Sequence, residues 1–202
     1  MILRVVRGRV RPGDLNAVAA SYRRDYVPVA ERAAGLDRFI VAAREDRDGG
    51  HALAAVTLWT TVEAALEAYA GNLGAVRTLD GMDHGEELSH VAYFEVDTSE
   101  ARRGPGTPTI LRLTAGRVAR GLDADIQQDL RRNLPTLPAE VLAAYVGRRV
   151  LGVEVEIAFA SAWSTAPDGL SLQEPMWPAI SDRYDSFEVE VLDILLEGHG
   201  PI

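Results

Sequence analysis

Cysteine is absent from the 202 residues. That excludes disulfides, thiolate metal sites and a cysteine nucleophile, and it fits a reducing compartment. No run approaches the ~18 apolar residues of a membrane span. The chain opens on an alternating, strand-like segment instead of the apolar core of a signal peptide. A cytoplasmic protein with no membrane partner is therefore expected. A basic stripe is missing as well: the formal net charge is −9, which argues against a nucleic-acid partner. No glycine-rich nucleotide loop follows a strand, and there is no Gly-x-Ser-x-Gly element. His84 lies in the acidic loop Asp80-Gly-Met-Asp-His-Gly-Glu-Glu87, but without a recognised ligand spacing, so that loop reads as solvated and no metal is assigned.

What is present is an internal repeat. Ile2, Leu3, Arg4, Gly8, Arg9, Val10 and Gly13 recur as Ile110, Leu111, Arg112, Gly116, Arg117, Val118 and Gly121. Arg23-Arg24 recurs as Arg131-Arg132, and Trp59-Thr60-Thr61 as Trp163-Ser164-Thr165. A repeat of this length is a whole small domain. The expected organisation is a first domain over 1–97, a linker over 98–108 rich in Arg, Gly and Pro, and a diverged second domain over 109–202.

The first half reads β-α-β-β-α-β. Residues 2–10 form a strand that ends at Arg11-Pro12-Gly13. Asp14 is the expected N-cap of a helix whose stripe is Leu15, Val18, Ala19, Tyr22, Tyr26 and Val29, with Gly35 as the stop. Residues 36–44 and 51–60 are strands flanking an acidic hairpin loop. Thr60 or Thr61 caps a short helix ending near Gly71, and His90 to Val96 is the closing strand. The second half repeats the order, with a strand over 109–118, a helical region over 123–146 broken at Pro135 and Pro138, two strands over 147–164, and a closing strand over 186–196. Pro167, Gly169, Pro175 and Pro178 are expected to have erased its second helix, with Trp177 packed nearby. The fold class is thus α+β: two tandem ferredoxin-like units packed sheet to sheet, since each sheet has one face bare of helices.

Strand alternation puts Leu53, Ala55, Thr57 and Trp59 on one face, and Ile157, Phe159, Ser161 and Trp163 on its counterpart. Each Trp has a hydroxyl residue two positions before it. Two readings stand: the indoles line a pocket, or they fill the helix–sheet junction. Arg4 and Arg112 form a second matched pair, able either to bind an anionic or carbonyl ligand or to meet an Asp or Glu at the rim.

The opening Met-Ile-Leu-Arg-Val-Val-Arg-Gly, the Leu58-Trp59 strand end, the helix Glu63-Ala-Ala-Leu-Glu-Ala-Tyr-Ala-Gly71 and the strand His90 to Val96 resemble the antibiotic-biosynthesis-monooxygenase-like branch of the dimeric α/β-barrel superfamily. The resemblance covers residues 1–97 and is weak over 109–195. It implies an intrachain dimeric α/β barrel, a pseudo-dimer within one chain; the sequence does not exclude a further homodimer through the outer helices. It also implies a cofactor-independent, monooxygenase-like protein acting on or binding a small aromatic or polyketide-like molecule between the two sheets. The alternative is a non-catalytic small-molecule-binding or stress-response protein. The expected ligand-binding set is Arg4, Thr57, Trp59, Tyr93, Arg112, Ser161 and Trp163. His90, where family members often carry a histidine, is the expected proton acceptor. Haem-degrading relatives pair a Trp with an Asn on the first strand; Trp59 has no such Asn, so haem is not expected.

Overall fold

The structure, a computed structural model, describes residues 1–71, 87–101, 106–164 and 183–201. It is α+β, with eight strands in one antiparallel sheet, and the chain divides into two compact units. The first unit comprises Met1–Tyr93 and Leu192–Ile202; the second is Phe94–Val191. No helix among the described residues is long and apolar enough to cross a membrane.

In the first unit β1 (Ile2–Val10) leads into α1 (Leu15–Ser21), a π-helical segment Tyr22–Tyr26, and α2 (Val27–Ala30). Asp14 does occupy the N-cap position, but its side chain makes no capping hydrogen bond. The π segment ends just before Pro28, which has no N–H to donate to the preceding turn. Gly35 follows at φ +80°. A Cβ there would come within 2.7 Å of the Ala64 Cβ, so only glycine lets this turn lie against the next helix. β2 (Leu36–Glu45) and β3 (His51–Trp59) form a hairpin, and β3 pairs on its other edge with β1. α3 (Val62–Ala70) starts at Thr61, whose hydroxyl accepts from the Ala64 N–H. β4 (Glu87–Ala101) runs on through residues 98–101, which sequence composition assigns to a linker.

In the second unit β5 (Ile110–Ala119) precedes α4 (Asp123–Asn133), which ends in a single 3-10 turn, Leu134–Thr136. Pro135 and Pro138 terminate the helix as anticipated, but the helical region does not extend to 146. Val141 already opens β6 (Val141–Leu151), which turns at Gly152 into β7 (Glu154–Trp163). The reason is burial: Val141 to Gly147 is buried without a break, so its apolar run carries no alternation to mark it as a strand. β7 lies between β5 and β6, and β6 pairs with Glu95–Ala101 of β4. β8 (Ser186–His199) closes the order, with Asp193–His199 returning to pair with β2 of the first unit. The expected loss of the second helix and the place of Trp177 lie outside the described residues.

Each unit packs one sheet face under its helices. In the first, Val6, Val10, Phe39, Val41, Leu53, Ala55 and Trp59 join Val18, Tyr22, Tyr26 and Ala65. In the second, Val118, Val146, Ile157, Phe159 and Trp163 join Ile126, Leu130 and Leu134. Each buried Val, Leu, Ile or Phe among them contributes roughly 1.5–3 kcal/mol. The opposite face of the first sheet is buried too, through Leu3, Val5, Ile40, Ala54, Val56 and Leu58.

Asp123, in the first turn of α4, is 8% exposed. The Gly121 N–H donates to its carboxylate at 3.0 Å and Arg148 Nη1 at 3.1 Å. The Gly121 bond first, then Arg148, hold its carboxyl below the ordinary value of 3.8. The folded-state value lies under the unfolded one, so this stabilisation is complete above the unfolded value and is lost as pH falls through the folded one. Between pH 5 and pH 2, Asp123→Asn is expected to flatten the decline of Tm that calorimetry records for the wild type. An equal decline in both proteins would remove Asp123 from the acid response.

Candidate functional site

Arg4 is the centre of a polar constellation that the first unit buries under its helices. It faces that side because it alternates with Val6 and Val10, and its direct partner across β3 is Thr57. Arg4 is 6% exposed. Its Cζ lies 3.6 Å from the Tyr69 ring centroid and 5.7 Å from that of Tyr93. Its Nε donates to the Tyr93 hydroxyl at 3.2 Å. Tyr69 comes from α3 and Tyr93 from β4. Among the described residues Nη1 has no hydrogen-bond partner and no carboxylate pairs with Arg4. Of the two expected roles for Arg4, a carboxylate partner is not found among the described residues. The stacked phenol supports the cation through its ring face while leaving donors in the guanidinium plane for another acceptor.

Around this group the walls are aromatic. Trp59 is fully buried and meets Tyr69 edge-on at 5.8 Å. Its Nε1 donates to Thr57 Oγ1 at 2.8 Å. The Tyr69 and Tyr26 hydroxyls lie 3.2 Å apart, and Tyr26 in turn packs edge-on against Phe39. The π-helical segment places Tyr22 and Tyr26 together in the core, their rings 5.4 Å apart. Beside α3, a groove of about 450 Å³ opens between Pro28, Val29 and Ala33 on one side and Ala64 and Ala68 on the other.

The second unit repeats part of this. Arg112 is 3% exposed and stands opposite Ser161 across β5 and β7. Trp163 Nε1 donates to Ser161 Oγ at 2.9 Å. The matched Trp–hydroxyl pairs therefore have a structural explanation, since each hydroxyl satisfies an indole N–H that would otherwise be buried unpaired.

Of the two readings of the indoles, the helix–sheet junction is the one the structure supports: Trp59 and Trp163 lie on the helix-bearing face, each within its own unit's cluster, and so do not line the space between the sheets where the expected ligand-binding set placed them. The expectation for His90 needs correction, because it is exposed. It alternates with Tyr93, which packs towards the helices, so the strand turns His90 to the other side and away from Arg4. Tyr69 and Tyr26 join the site unforeseen. Their signal was a phenol on the buried stripe of each helix, because a buried hydroxyl needs a partner. His84 lies outside the described residues, among which no cluster of His, Asp or Glu could hold a metal ion.

No family model matches the chain, and no curated protein matches it. Solved structures do. A candidate monooxygenase from Fusobacterium nucleatum aligns with a TM-score of 0.73 at 12% identity, over 98% of this chain and 94% of that one. A candidate monooxygenase from Lactobacillus acidophilus aligns with a TM-score of 0.62 at 10% identity, over 98% and 97%. An anthrone oxidase-like protein aligns with a TM-score of 0.59 at 15% identity, over 98% and 93%. At these identities the likeness is one of fold.

Proposed function

We propose that this chain is a monooxygenase-like protein that takes a small aromatic or polyketide-like molecule into the first unit, on the helix-bearing face of its sheet. The observation that carries the reading is Arg4, a buried guanidinium with an unpaired Nη1 among Tyr69, Tyr93 and Trp59. Such a group recognises a phenolate, enolate or polarised carbonyl oxygen, and the aromatic walls suit a flat ring system. Arg4 would hold the negative charge that develops on the substrate oxygen when a neighbouring C–H loses its proton, in a site shielded from water. For an anthrone, two C–H bonds at the methylene carbon are replaced by one carbonyl. Dioxygen is the oxidant: one of its atoms ends in the new carbonyl and the other in water.

The chain is further read as a tandem duplicate, a pseudo-dimer carried in one polypeptide. Its support is the run of identities at an offset of 108 residues, from Ile2/Ile110 to Gly13/Gly121.

A second reading, a non-catalytic binding protein, is favoured by one observation: neither a histidine nor a carboxylate pairs with Arg4 among the described residues, so the site has no evident base. Turnover separates the two. Air-saturated 1,8-dihydroxyanthrone is expected to be oxidised to the anthraquinone, followed by absorbance, at least tenfold faster with the protein than without it. Tryptophan quenching by the anthrone with no acceleration would leave binding alone, and neither response would overturn both readings.

A further inference from the structure

The second unit buries polar groups where the first buries hydrocarbon. On β5 the face that carries Arg112 continues through Thr114 to Gly116. Thr114 is 2% exposed, and among the described residues its Oγ1 has no hydrogen-bond partner. Gln127 is 7% exposed, and its Nε2 has none among them either. At the repeat offset of 108 their counterparts are Val6 and Ala19, both buried and apolar. Packing is thus satisfied at both positions without polar atoms, and a buried amide or hydroxyl left unpaired costs free energy.

These groups face one interface. Gln127 falls on the buried stripe of α4 with Asp123, Ile126 and Leu130. That stripe packs into the cluster that holds Phe159, the direct cross-strand partner of Thr114. The Tyr184 ring lies against Gly116, where a Cβ would come within 2.2 Å of it. Arg112 stands opposite Ser161 on the same face. An amide N–H and a guanidinium only donate, and a threonine hydroxyl can. The complement of such a set is an acceptor-rich anion, and the surrounding walls are aromatic and aliphatic.

We propose that the helix–sheet interface of the second unit is a binding site of its own for a small aromatic carboxylate, with Arg112, Thr114 and Gln127 donating to the carboxylate and Phe159 against the ring. The two repeats would then serve different ligands, one through an enolate or phenolate oxygen, the other through a carboxylate.

The probe is 4-fluorobenzoate, titrated into the full chain and followed by fluorine NMR and calorimetry. Saturable binding of one equivalent is expected. Thr114→Val and Gln127→Leu should each weaken it at least tenfold. Both variants should also raise the Tm of the unliganded protein, by roughly 2–6 °C, because each removes an unpaired buried group. That gain shows that lost binding is not lost folding. Absence of saturable binding in the wild type overturns the site, as does an unchanged Kd in both variants; a buried water would then be the partner of these groups. Anthrone turnover does not enter the readout, so this proposal and the reading of the first unit fail separately.

Discussion

Trp59→Ala is expected to lower the free energy of unfolding by about 3–5 kcal/mol, the range for truncating a large buried aromatic. Trp59 is fully buried, at the end of β3, where it touches the helix-bearing core and Tyr69. Truncation opens a cavity between α3 and the sheet and removes the donor that Thr57 accepts. Domains of this kind have about 5–15 kcal/mol in total, so the variant should sit near the edge of folding. Two milder changes divide the effect. Thr57→Val keeps the indole but leaves its N–H unpaired, at a cost of about 1–3 kcal/mol. Trp59→Phe keeps most of the packing and needs no acceptor, so it should cost less than Trp59→Ala. Urea unfolding measures all three. A loss under 1 kcal/mol for Trp59→Ala would show that the indole is not part of the core.

Arg4→Met should act in the opposite direction on stability and far more strongly on function. The cation is buried with no carboxylate partner among the described residues, and methionine matches its length without its charge. Replacing a poorly compensated buried charge with an apolar residue of similar size is commonly neutral or stabilising by about 1–4 kcal/mol. Here the gain should fall at the lower end, because the stack on Tyr69 and the bond to Tyr93 are lost with it. Anthrone oxidation should drop by about 10²–10³ in kcat/KM, the usual loss when one preorganised donor to a developing oxyanion is removed. Thermal unfolding and steady-state rates on one preparation test both signs. An Arg4→Met protein that is destabilised and retains full turnover would make Arg4 a structural residue.

Strand positions were legible where one face differs from the other or a turn signal intervenes. β1, β2, β3 and β5 fall within two residues of their expected places, because Pro12-Gly13, Asp48-Gly49-Gly50 and Gly121 punctuate them. β6 was illegible because both of its faces are apolar. The same property hid which face of β3 carries the helices. Alternation sorts Thr57 and Trp59 from Val56 and Leu58, but with both sets hydrophobic it cannot say which set the helices cover. His90 and Tyr93 show a limit that the sequence itself could have exposed. They are three apart on a regular strand and so cannot serve one site from the same face. Arg4 was identifiable as a matched strand arginine, but its stacking on Tyr69 depends on where α3 docks, and no local pattern reports that.

The first unit owns two stretches of chain separated by the whole of the second. During synthesis, the ribosome therefore completes the second unit while the first still waits for its last strand. Until Asp193–His199 emerges, the outer edge of β2 has no partner, from Arg38 to Ala43. That edge is largely apolar, and open edges of this kind invite pairing with neighbouring chains. The nascent protein thus spends the translation of about a hundred residues with that apolar border uncovered, and Arg38, at one end of it, meets its Glu197 partner only when the last strand arrives.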